Sequence, residues 1–100
     1  MVDLCIYMKR YQIRVLGKVQ GVYFRFFTQR KATELDLSGW VKNQEDLSVL
    51  IEVQGAQEKL DQFISWCHKG SPFSNVGQVL LKEIAICSEN KNGFIIIRKN

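Results

Sequence analysis

Apolar and polar positions alternate through Tyr11-Gln12-Ile13-Arg14-Val15-Leu16, which puts Tyr11, Ile13 and Val15 on one face. A period of two marks a strand with one side buried, and this is the first predicted strand. From about Phe24 to Leu35 the period changes, with Phe24, Phe27, Thr28, Ala32 and Leu35 recurring at helical spacing. Phe26 falls off that stripe and receives no burial assignment. Ser38–Asn43 reads as a second short strand, Gln44-Glu45-Asp46 as a polar turn, and the β-branched run Ser48–Val53 as a third strand. The second and third are expected to pair as an antiparallel hairpin, with Gly55 ending the latter. Ala56, Leu60, Phe63, Ile64 and Cys67 then mark a second helix, stopped by Gly70 and Pro72. Val76 to Cys87 holds a fourth strand whose mixed pattern predicts burial that changes along its length. A turn over Glu89-Asn90-Lys91-Asn92-Gly93 leads to a fifth strand, Phe94–Arg98.

The order β-α-β-β-α-β with one terminal strand predicts an α+β, ferredoxin-like sandwich: an antiparallel sheet, two helices on one face, and a short C-terminal strand. One hundred residues, 46% of them hydrophobic, suffice for one core without staples, so a single domain over 1–100 is expected. Residues 1–9 are set apart as an N-terminal extension of unassigned role. Trp40, Phe24, Phe27 and Phe63 are expected in the core. Fold class says nothing yet about chemistry.

The net charge of +4 suits anionic partners, but the cations are spread and no block of five like charges occurs. Cys5, Cys67 and Cys87 cannot all pair within one chain, form no C-x-x-C motif, and are accompanied by one histidine, His68. That argues against a zinc site and for reduced thiols, with Cys67 inert on the apolar face of its helix. Met1–Met8 carries Asp3 and only a short apolar run, unlike a secretory leader. No stretch reaches the roughly 18 apolar residues of a membrane span. A cytoplasmic monomer with no membrane partner is expected.

Leu16 to Arg25 lies between the first strand and the first helix, with two glycines, basic residues and no acid. Strand, glycine loop and helix start can converge unpaired N–H groups on an anion. Arg25 in a first helical turn opposes the helix dipole by roughly 0.3–1 kcal/mol, a sign that a bound anion would reverse. The familiar hydrolytic constellations do not fit around it. No cysteine brackets a loop with Arg25, His68 ends a helix as a solvated or capping group, and the spacing of Gly17 and Gly21 is not that of a Walker loop. RNA recognition motifs share the βαββαβ order, but the third strand Ser-Val-Leu-Ile-Glu-Val has no aromatic on which a base could stack. That weighs against nucleic acid.

The nine residues Gly17-Lys18-Val19-Gln20-Gly21-Val22-Tyr23-Phe24-Arg25 resemble the first signature of acylphosphatases, G-[RK]-V-Q-G-V-x-[FY]-R. Gly39-Trp40-Val41-Lys42-Asn43 is similar to the start of their second, G-[FYW]-[AVC]-[RKQ]-N. The resemblance runs from Tyr11 to Arg98 and implies hydrolysis of the carboxyl-phosphate anhydride of a small acyl phosphate to carboxylate and inorganic phosphate. It implies Arg25 as phosphate clamp and Asn43 as the group that orients water. The substrate-binding loop it implies comprises Gly17, Lys18, Val19, Gln20, Gly21, Val22 and Tyr23, with the amides of about Val19 to Tyr23 as the cradle. No metal or other cofactor is implied.

One position departs. The family pattern continues Asn-x-x-Asp-Gly-[ST]-Val, whereas this chain has Asn43-Gln44-Glu45-Asp46-Leu47-Ser48-Val49. Leucine in a left-handed conformation costs about 1–2 kcal/mol, so the turn is expected to be reshaped and the aim of Asn43 altered. That departure keeps open an alternative, a non-catalytic anion-binding or interaction module on the same fold.

Overall fold

The computed structural model describes residues 8–87 and 93–98. The elements are β1 (Met8–Lys18), α1 (Phe24–Glu34), β2 (Ser38–Asn43), β3 (Val49–Ala56), α2 (Gln57–Lys69), β4 (Asn75–Ile84) and β5 (Phe94–Ile97). They form one five-stranded sheet in the order β4-β1-β3-β2-β5. β2 pairs antiparallel with β3, as the hairpin reading expects, and β1 pairs antiparallel with both β3 and β4, in keeping with the antiparallel sheet of the βαββαβ plan. β5 instead runs parallel beside β2, with Gly39 opposite Phe94 and Lys42 opposite Ile97, so the sheet is mixed. The last strand therefore closes the edge opposite β4 rather than extending a hairpin from it. Of the turn expected before it, Glu89 to Asn92 lie outside the described residues, as does Cys5.

Both helices cover one face. α1 packs on β2 and β5, and α2 on β3 and β4. Ile13 and Val15 of β1, Val41 of β2 and Val49, Ile51 and Val53 of β3 are fully buried beneath Phe24, Ala32, Leu60, Phe63 and Cys67. Their period of two in the strands and of four in α1 (Phe24, Thr28, Ala32) is the pattern read from the sequence. An aromatic chain ties the helices to the edge strand. Trp66 lies 5.5 Å from Phe24 and 6.2 Å from Phe63, and Phe63 lies 6.2 Å from Phe94.

Several expectations shift in detail. β1 begins at Met8 and runs through Gly17 and Lys18, so two residues of the presumed extension and two of the presumed loop belong to the sheet. Gly55 does not end β3: it pairs with Lys9, and a Cβ there would sit 2.3 Å from the Leu37 side chain. Glycine at that position answers to close packing, not to a break. β4 stops at Ile84, because beyond it the Gln54 side chain takes over the pairing, accepting from Cys87 N (2.7 Å) and donating to Cys87 O (3.1 Å). Leu80 and Leu81, on opposite faces of this edge strand, are both exposed. Phe24 and Phe63 are buried, whereas Phe27 is half-buried and exposed Phe26 packs edge-on against it at 5.2 Å. Trp40 lies half-buried on the open face of the sheet, with Lys42 Nζ 5.4 Å from its ring.

Candidate active site

Between β1 and α1 the chain turns through Gly21 (φ 73°) and Tyr23 (φ 61°), both left-handed. Tyr23 is the N-cap of α1, makes no side-chain cap, and no acidic residue follows in the first turn. The first α1 amide to find a backbone partner is Phe27 N, which donates to Tyr23 O at 3.1 Å. The amides before it lie at the positive end of the helix dipole, with Arg25 beside them. No acceptor within the helix start neutralises that end.

The loop is held from below. Val19 and Val22 are buried, the Ser71 hydroxyl donates to Val22 O at 3.1 Å, and the Phe24 ring is locked against Trp66. These contacts turn the side chains of Val19, Val22 and Phe24 inward. Gln20 points another way: its Nε2 donates to Gln44 O (2.8 Å) and Ser48 O (2.9 Å) at the β2–β3 turn. One amide group thus bolts the loop to the hairpin that carries Asn43.

Asn43 is the last residue of β2 and shares the core-facing side with Val41. Its Oδ1 is buried and has no hydrogen-bond partner among the described residues. A buried carbonyl oxygen left unpaired costs about 1–3 kcal/mol, so it marks a place where a donor belongs. The hairpin beyond it is a three-residue loop closed by Leu47 N donating to Gln44 O (3.2 Å) and Gln44 N donating to Ser48 O (2.9 Å). Leu47 itself sits at φ 75° with its side chain exposed. The turn is not reshaped, contrary to expectation. The left-handed geometry that glycine would favour is kept, and leucine bears the strain. Asp46 makes this possible by accepting from Ser48 N (3.0 Å) and the Ser48 hydroxyl (2.5 Å), while Arg14 donates to both Asp46 and Ser48. The Ser48 hydroxyl and amide, with Arg14 beyond them, hold the Asp46 carboxyl below the usual carboxylate range.

A cavity of about 640 Å³ joins these parts, lined by Val19, Gly21, Tyr23, Phe24, Arg25, Phe26, Gln29, Asn43, Ile96 and Arg98. Of the residues singled out from the sequence, Arg25 and Asn43 meet there, with Val19, Gly21 and Tyr23 of the loop. Gly17, Lys18, Gln20 and Val22 do not line it. Gly17 (φ 126°) lies at a bulge against β4, where a Cβ would come within 2.3 Å of Asn75 O. Its glycine requirement is explained by strand packing rather than by an anion. A smaller cavity of about 360 Å³ flanks Asn43, lined by Arg14, Lys42, Gln44, Glu45 and Asp46. Its cations are balanced by acids, and it lacks the helix start.

The sequence reading overlooked Arg98, Gln29, Ile96 and Phe26. Gln29 Nε2 donates to Phe94 O at 2.9 Å, fastening β5 to α1 and so fixing where Arg98 emerges. No local signal could reveal this, because the position of Arg98 next to Asn43 is set by the parallel pairing of β5 with β2. Cys67 is buried, which pushes its thiol far above the ordinary range and keeps it protonated. Among the described residues no group of three His, Cys, Asp or Glu could hold a metal ion, and no helix is long and apolar enough to cross a membrane.

Comparison with known proteins gives a consistent result. The acylphosphatase family model matches residues 11–96. An acylphosphatase of Bacillus licheniformis is 47% identical over 76 residues, 76% of this chain and 84% of that protein. The structure of an acylphosphatase from Coxiella burnetii superposes with a TM-score of 0.89 at 32% identity, covering 97% of this chain and 100% of that one. The crystal structure of acylphosphatase from Bacillus subtilis gives 0.85 at 38% identity, with 89% and 98% covered. With the matched segment spanning both the loop ahead of α1 and the Asn43 hairpin, the chain belongs to the acylphosphatase family.

Proposed function

We propose that this chain hydrolyses small acyl phosphates to carboxylate and inorganic phosphate, with Arg25 and the loop amides holding the phosphoryl group and Asn43 positioning the attacking water. The observation that carries these roles is the orphaned Asn43 Oδ1, buried at the wall of the cavity that contains Arg25 and the uncapped start of α1. A phosphoryl group at the helix start would find amide donors and a guanidinium fork able to take two oxygens at once. Water donating one hydrogen bond to Asn43 Oδ1 would be aimed at phosphorus. As its oxygen bonds to phosphorus the bond to the acyl oxygen breaks, the carboxylate leaves with that electron pair, and the water proton passes to a phosphoryl oxygen. A carboxylate is a good leaving group, so positioning and charge stabilisation carry the catalysis without a strong protein base.

The retained hairpin geometry at Leu47 supports the enzyme over a binding module, since Asn43 keeps the turn that aims it. In this reading the chain works as a cytoplasmic monomer. The loop, Asn43 and Arg25 all come from one chain, and Cys67 and Cys87 are free thiols. Benzoyl phosphate, followed by loss of its absorbance, tests the proposal. Arg25→Ala should lower kcat/KM by about 10³-fold and Asn43→Ala by about 10²-fold. Wild-type turnover no faster than that of Asn43→Ala would favour a binding module.

A further inference from the structure

The cavity is larger than the cradle needs. A phosphoryl group with its oxygens, at about 30 Å³ for each water-sized atom, fills roughly 150 Å³, against the cavity's 640 Å³. The remainder lies toward β5 and is walled by Phe26, Gln29, Ile96 and Arg98. The register of the parallel pair, Lys42 opposite Ile97, makes Asn43 and Arg98 the next positions along. Alternation then puts Ile96 and Arg98 on the helix-facing side with Val41 and Asn43. Gln29 is committed to Phe94 O, which holds this strand in place beneath α1.

Arg98 differs from the arginines of the open face. Arg10 is paired with Glu52 and Arg14 with Asp46, whereas Arg98 makes no hydrogen bond or ion pair with any described residue. Within one cavity, then, Arg25 stands at the helix start and Arg98 at the far strand, with apolar Phe26 and Ile96 also in the wall. An acyl chain leaving the cradle would run over the apolar part of that wall, and an anionic end would meet a guanidinium fork suited to a carboxylate.

We infer that Arg98 is a specificity-determining residue that makes this chain favour acyl phosphates whose acyl group ends in a second carboxylate. The inference rests on the hydrolytic reading above. Its test compares succinyl phosphate with 4-methylpentanoyl phosphate, in which an isopropyl end replaces the carboxylate at nearly the same shape. The readout is the ratio of their kcat/KM values, which cancels any effect on the shared phosphoryl chemistry. Arg98→Gln should lower that ratio about three- to tenfold, a charged hydrogen bond discounted for an exposed arginine. Arg98→Lys should keep most of it. In the wild type, raising ionic strength from about 0.05 M to about 1 M should erode the ratio in the same direction, a measurement that needs no variant to fold. An unchanged ratio overturns the inference, whether both substrates fall together because Arg98 grips the phosphoryl group or neither responds. If wild-type protein hydrolyses neither compound, the hydrolytic reading fails and takes this one with it.

Discussion

Gly21 and Leu47 hold nearly the same left-handed φ, 73° and 75°, one in the loop ahead of α1 and the other in the turn beyond Asn43. Around Gly21 a Cβ would meet nothing within 4 Å, and the loop is secured by buried neighbours, Val19, Val22 and Phe24. Around Leu47 the side chain is exposed, and the turn is secured by the polar set Arg14, Asp46 and Ser48. The loop ahead of α1 is thus anchored by the hydrophobic core, and the turn beyond Asn43 by partly exposed hydrogen bonds. The two halves of the site should respond to different perturbations. Core anchoring is insensitive to pH and salt, whereas an exposed charge network is sensitive to both.

The strongest way to break the comparison is to unseat the loop ahead of α1. Phe24→Ala removes a fully buried ring that contacts Trp66 and should destabilise the fold by about 3–5 kcal/mol, read as a shift in the denaturant midpoint. A loss under about 1 kcal/mol would mean the loop is not core-anchored. A smaller effect of opposite sign is expected at the hairpin. Leu47→Gly relieves the left-handed strain and should stabilise by about 1 kcal/mol, less than the full steric cost because glycine loses more chain entropy on folding. No rise in midpoint would show that the Asp46 network already absorbs the strain.

The smallest effect concerns pH. The folded Asp46 carboxyl lies below its ordinary value of 3.8, chiefly through the Ser48 hydroxyl and amide. A depressed acid stabilises fully above its unfolded value and loses that contribution as pH falls through the folded one. Asp46→Asn should therefore melt below wild type at pH 7, with the gap closing as pH falls below the ordinary carboxylate value. A gap independent of pH would place the role of Asp46 in shape rather than in charge.

Much of this was legible in the chain. The alternation of Ile13 and Val15, the helical stripe through Phe63 and Cys67, and the two motif blocks located the sheet, the second helix and the pair Arg25 and Asn43. What escaped depended on close approach or on distant pairing. Gly17 and Gly55 read as loop and breaker, yet each answers to a neighbouring element, β4 or Leu37, that is far away in sequence. Gln20 read as part of the cradle, but its side chain serves the hairpin. Leu47 read as a reason for the turn to change, because a propensity cannot see the three residues that hold the turn in place. Arg98 was invisible because parallel pairing leaves no local trace.

The Gln20 bolt has a kinetic consequence. Its two acceptors lie 24 and 28 residues along the chain, and the strands beside it pair across still longer separations, Met8 with Ala56 and Gly39 with Phe94. Contacts so distant in sequence pay their loop-closure entropy before they return any stabilisation, which slows the search for the native state. A collapsed chain with its helices formed but this amide unbonded has the loop ahead of α1 and the hairpin carrying Asn43 not yet aligned. Regain of turnover on refolding therefore times the last long-range closures of the sheet, not the collapse that precedes them.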